Sequence, residues 1–220
     1  MRYLFTATLV LALAIVLLCL QPVALFAQGT SPDEVVDALL ESLEQGDPLA
    51  QEEAGQALAE LAPRWAIGRL AKIFETTDNP RPVAIALAGI GTPRAMAVLV
   101  NGLDDEELTA HRNAAQVALL NLGEKAVPSL VIGLRSRETP VRRNAAELLG
   151  FIGSPSAVNA LLRVAKQDAE PIVREEAVWA LGEIGEERIR LALQALAKTD
   201  PDPVVRIEAM RAALRLGEAF

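Results

Sequence analysis

Cys19 and His111 are the only cysteine and the only histidine in the 220 residues, and these two types supply most thiol nucleophiles, soft metal ligands and proton-transfer groups near neutral pH. Cys19 lies inside an apolar N-terminal run, so the rest of the chain can form no intramolecular disulfide and offers no thiol for catalysis or metal ligation. His111 stands beside Arg112 at the start of a predicted helix, where it reads as a surface residue with no second histidine to join it. Neither a glycine-rich phosphate loop nor a nucleophile elbow is present. The expectation is a chain without catalytic, metal or cofactor-binding residues, hence no cofactor and no enzyme.

The residue type that recurs with a period is arginine. Arg112, Arg142, Arg174 and Arg206 occupy equivalent places, and Glu138, Glu170 and Asp202 stand four residues before the last three. This spacing predicts a structural ladder of ion pairs joining adjacent repeats, with the carboxylates near helix starts, where they also complement the helix dipole. A looser set, Arg69, Lys72, Arg94, Arg135, Arg163, Lys166, Arg190 and Lys198, falls in the predicted second helices. In stacked repeats those helices are expected to line a concave binding face. Several of these cations sit in a last helical turn, where the dipole favours them anyway. If they form a binding face, it suits an acidic protein surface or the chain's own acidic segment. Trp65 and Trp179 fall at or near core positions of predicted helices and read as packing residues.

The formal charge of −8 is a local property. Asp33 to Glu60 carries nine carboxylates and no Lys or Arg, whereas Pro63 to Phe220 balances twenty acidic against twenty basic side chains. Nucleic acid is therefore not an expected partner, because phosphate binding needs a basic footprint.

The elements that carry these residues are set by self-similarity. Four segments align without gaps on a closing glycine: HRNAAQVALLNLG (111–123), VRRNAAELLGFIG (141–153), VREEAVWALGEIG (173–185) and VRIEAMRAALRLG (205–217). IALAGIG, ending at Gly91, and AGQALAELA (54–62) fit more loosely. Each unit reads as two helices, the quoted segment first. Glycine at the end supplies the positive φ that stops a helix. Thr92-Pro93, Thr139-Pro140, Ser154-Pro155 and Asp202-Pro203 mark starts, a capping side chain followed by proline at the first helical position. Ala115, Ala145, Ala177 and Ala209 share one place and allow close helix approach, while Leu148, Leu149 and Ile152, matched by Ala180, Leu181 and Ile184, form the buried stripe.

Val173-Arg174, Ala177, Leu181-Gly182 and Ile184-Gly185 resemble the short HEAT-like repeats first recognised in phycobilin lyase subunits. The resemblance covers roughly residues 50–220. It implies an all-α fold, an armadillo/HEAT-like α-solenoid of about five and a half helix pairs, and it is weak support for any one function. A bilin lyase or chaperone-like subunit is the alternative function it brings. An oxidoreductase label of the deoxyhypusine hydroxylase kind would require several His–Glu pairs for two irons, which a single histidine does not provide.

Leu4 to Ala27 is a mainly apolar run interrupted by no charge, with Arg2 before it and an acidic segment after it. This is an export signal or a membrane anchor, and the charge asymmetry places the body outside the cytoplasm, periplasmic, extracellular or anchored, with membrane contact only through residues 4–27 if they stay uncleaved. The expected organisation is therefore 1–27 signal or anchor, 28–48 an acidic capping helix, and 49–220 the repeats. The last quoted segment lacks a second helix, so Val204, Ile207, Met210 and Leu214 are expected to be only partly covered, open to self-association or to a partner. The functional expectation is an exported, non-catalytic scaffold that binds a protein.

Overall fold

The computed structural model describes residues 31–104 and 109–217. The apolar run of residues 4–27, Cys19 and the last three residues lie outside that range. Every regular element among the described residues is helical, and none of these helices is long and apolar enough to cross a membrane. The helices are α1 (Pro32–Gln45), α2 (Pro48–Leu61), α3 (Ile67–Thr76), α4 (Pro80–Ile90), α5 (Pro93–Asn101), α6 (Thr109–Leu122), α7 (Val127–Gly133), α8 (Thr139–Ile152), α9 (Val158–Gln167), α10 (Pro171–Ile184), α11 (Arg190–Thr199) and α12 (Pro203–Arg215). The chain divides into two compact units between Thr92 and Pro93.

In the first unit α2 packs along α4, with α1 against α2 and α3 against α4. Ser31 opens α1 with a full capping box: its hydroxyl accepts from the Glu34 amide while the Glu34 carboxylate accepts from the Ser31 amide. The buried stripe of α1 is Val36, Leu39, Leu40 and Leu43, and its carboxylates face outward. Between α2 and α4 the backbones approach closely. A Cβ on Gly55 would lie 2.8 Å from the Pro82 carbonyl carbon, and one on Gly89 would overlap Ala59.

The second unit stacks α8, α10 and α12 side by side, and each is backed by a second helix, α7 on α8, α9 on α10 and α11 on α12. Small residues again set the spacing. A Cβ on Gly150 would stand 2.9 Å from Ala180 Cα, and one on Gly182 would stand 2.9 Å from Ala212 Cβ. The equivalent alanines Ala115, Ala145, Ala177 and Ala209 are fully buried. Asn144, also buried, donates 2.8 Å to the Leu103 carbonyl.

The predicted stops and starts meet the structure unevenly. Gly91, Gly123, Gly153 and Gly185 have φ of 62°, 54°, 72° and 79°, whereas Gly217 is not in that region and Leu216 closes α12 in the right-handed conformation. Asp202 caps α12 through its carboxylate, accepting from the amides of Val204 and Val205. Ser154 does not cap. It is buried and bonded to Glu124 and Ser156, and Pro155–Ala157 forms a 3-10 turn leading into α9. Similar turns, Arg64–Ala66, Gly123–Ala126 and Glu187–Ile189, precede α3, α7 and α11.

Candidate functional site

Three first helices of the second unit bring their outer faces together around an aromatic pair. Phe151 on α8 and Trp179 on α10 meet edge to face, with ring centroids 5.1 Å apart and planes at 68°. Gly150 makes this possible, because a side chain there would collide with Trp179 at 2.7 Å. Glu147 lies one turn before Phe151, and Glu175 and Glu176 one turn before Trp179, so helical spacing sets all of them on one face. Together with Glu208 of α12 they line a shallow depression of about 250 Å³. Phe151 is 60% exposed.

The carboxylates are unevenly compensated. Arg143 donates to Glu176 at 3.3 Å, and Arg211 and Arg215 donate to Glu208 at 3.5 and 3.0 Å, while Arg215 also pairs with Glu183. Glu147 accepts only a long 3.5 Å bond from the Gln116 amide, and neither it nor Glu175 is in an ion pair among the described residues. Burial, and then repulsion from Glu147, pushes the Glu176 carboxyl above its usual range, although Arg143 opposes the shift. Among the described residues, no group of three or more His, Cys, Asp or Glu side chains is arranged to hold a metal ion.

The arginine series binds the loops of the second unit. Arg174 donates from Nε and Nη2 to both oxygens of Asp200 at 2.9 Å, and from Nη1 to the Asp168 and Ala169 carbonyls at 3.0 and 3.2 Å. Arg142 grips Asp168 the same way, at 2.8 and 3.0 Å, and donates to the Ser136 and Arg137 carbonyls. Arg206 donates to the Asp200 and Pro201 carbonyls. The ion-pair partners are thus Asp168 and Asp200, not the carboxylates Glu138 and Glu170 four residues earlier. Those residues instead present their amides to Ser136 Oγ and Asp168 Oδ1, as Asp202 does to Asp200 Oδ1. The pattern was present as DAEPIVR and DPDPVVR, where the first residue, not the third, supplies the carboxylate that meets the arginine of the preceding repeat, whereas in SRETPVR the Ser136 carbonyl accepts from Arg142 of its own segment. The Arg174–Asp200 pair is nearly enclosed, with side chains 8% and 4% exposed. Its hydrogen bonds to Arg174 and the Asp202 amide hold the Asp200 carboxyl below its usual range against the cost of burial. Arg112 is partly buried.

The second-helix cations differ in their engagement. Arg69 is engaged within the first unit, donating to Glu44 at 3.0 Å through two nitrogens and to Asp37 at 3.4 Å. The Glu44 carboxyl is lowered chiefly by that hydrogen bond. Lys72, Arg94, Arg135, Arg163, Lys166 and Lys198 are exposed and Arg190 is half-buried, with no ion pair among the described residues. Two other expectations are corrected. His111 is 7% exposed and belongs to the interior of α6, because its place in the first turn faces inward beside Ala114 and Ala115. Trp65 is 54% exposed, since the 3-10 turn that carries it buries Ala66 instead. Trp179 does pack, over Gly150, yet it also lines the depression. Phe151, Glu147, Glu175, Glu176 and Glu208 were not anticipated. The available signal was an aromatic followed 28 residues later by another, each one turn after glutamate.

The architecture defines a class first: an all-α protein of stacked helical hairpins, the α-solenoid. Residues 127–214 match the family model for HEAT repeats, so this stretch is built of HEAT-like repeats. No curated protein matches it. Among solved structures, human deoxyhypusine hydroxylase in complex with glycerol is similar over 86% of each chain at 21% identity, with a TM-score of 0.47. The complex of CpcE and CpcF of phycocyanin lyase from Nostoc sp. PCC7120 is similar over 84% of this chain and 83% of that one at 22% identity, with a TM-score of 0.36.

Proposed function

We propose that this HEAT-like repeat scaffold is exported and binds a protein partner through the outer faces of its first helices, without catalysis of its own. One observation carries the reading: α12 presents Val204, Ile207, Met210 and Leu214, each about half exposed, at spacings of three to four residues along one side. A contiguous apolar stripe of this kind on a repeat stack favours association over solitary solvation. The lone histidine is buried, and Arg142, Arg174 and Arg206 are engaged in holding loops together, which supports a binding role over an enzymatic one. Export rests on the apolar run of residues 4–27 and its preceding arginine.

The test is capture from the envelope fraction of the native organism with the full chain as bait, compared with Ile207→Glu/Met210→Glu. The reading expects a specific partner retained by the native chain and lost by the double variant. Retention of no partner, or of the same partner by both, contradicts it. Intact-mass measurement of the chain recovered from the envelope decides cleavage, the expected new N-terminus being Gln28.

A further inference from the structure

The depression around Trp179 is too small and open to enclose a small molecule, since ligand sites usually exceed ~300 Å³ and bury most of the ligand. Its lining joins four carboxylates to an aromatic pair, and among the described residues no set of acidic groups is arranged to hold a metal ion. Two of them, Glu147 and Glu175, have no cationic partner among the described residues, and the nearby arginines are already paired with Glu176, Glu183 and Glu208. The indole of Trp179 and the exposed ring of Phe151 line the depression together with these two carboxylates. Aromatic faces attract cations most strongly when the ring is tryptophan, and flanking carboxylates add to that attraction.

We infer that this depression receives a lysine or arginine side chain presented by a basic segment of the protein partner. The inference rests on the scaffold reading and names the chemistry of its partner. A long cationic side chain lays its methylenes on Phe151 and its charge over Trp179 near Glu147 and Glu175. It also relieves the repulsion between Glu147 and Glu176 that the free protein carries. The acidic α1 helix, rich in carboxylates but without aromatics, serves as the internal control for diffuse attraction.

The probe is a synthetic hexalysine amide titrated into the full chain in non-ionic detergent, in a Trp65→Phe background so that emission reports Trp179 alone. The expected result is a saturable change in Trp179 emission, with affinity weakened ~10-fold or more by Glu147→Gln/Glu175→Gln and little changed by Asp33→Asn/Glu41→Gln on α1. These are substitutions of at least partly exposed side chains; circular dichroism verifies the fold, and Glu175→Gln alone serves if the double variant unfolds. The inference is overturned if Trp179 emission does not respond, if the α1 variant weakens binding as much as the groove variant, or if the groove variant binds as well as the parent. Partner capture separates the two ideas. A partner retained by the groove variant but lost with the α12 variant leaves the scaffold reading standing and removes the groove.

Discussion

The residue with the most defined environment is Asp200, which ties Arg174 side-on, orders the Asp202 amide and lends its carbonyl to Arg206. Replacing it leaves a nearly buried guanidinium without its counter-ion, and breaking a pair of this kind costs about 3–5 kcal/mol. Asp200→Ala is therefore expected to lower stability by that order in urea unfolding, against under about 0.5 kcal/mol for exposed Asp33→Ala. Because the folded carboxyl titrates below the unfolded one, its contribution is complete above pH ~4 and is lost as pH falls through the depressed value. Glu176 has the opposite sign. Its raised carboxyl makes the folded state the tighter proton binder, so its contribution declines as pH rises from ~4 through the raised value. Glu176→Gln is expected to change neutral-pH stability by less than about 1 kcal/mol, in the stabilising direction, and to flatten the melting temperature across that interval. A destabilised Glu176→Gln would show that the Arg143 bond outweighs burial and Glu147.

At the scale of the element, the close crossings of first helices depend on glycine where a side chain has no room. Alanine usually favours a helix over glycine by ~1 kcal/mol, but Gly55→Ala drives a methyl into the Pro82 backbone. Overpacking of ~1–3 kcal/mol outweighs the propensity gain, so the variant is expected to be less stable in chemical unfolding. Helix order and the closing glycines from Gly91 to Gly185 were legible in the sequence, because a recurring Gly at the end of an apolar stripe has one dominant physical meaning. The arginine partners were not, since spacing along a helix marks Glu138 and Glu170 as neighbours while the bond runs to a loop 26 residues away. Trp65 and His111 were misread for a related reason: periodicity assigns a face within a regular helix, and these two stand in a 3-10 turn and in a first turn. The groove was hidden because its residues come from three repeats, and only the lateral stacking of α8, α10 and α12 assembles them.

At the scale of the molecule, the acidic excess lies in residues 33–60, and four exposed apolar residues line α12. The acidic first helices are partly neutralised within their own unit, where Arg69 engages Glu44 and Asp37. Such half-exposed pairs are worth under about 1 kcal/mol, so Arg69→Ala is expected to change melting little and to become indistinguishable from the parent in high salt. Apolar exposure is concentrated on α12 in the second unit. If that stripe pairs with a second copy, light scattering shows a dimer that Ile207→Glu abolishes without altering helicity; a native chain monomeric at high micromolar concentration removes self-association and leaves the heterologous partner. The central claim, a scaffold that binds through its first-helix faces, is tested most directly by quantitative capture from the native envelope with the full chain and with Ile207→Glu/Met210→Glu. The account predicts one dominant protein, enriched by the native chain and depleted ~10-fold or more with the variant, as expected for loss of a central apolar contact. Equal recovery by both chains would contradict it.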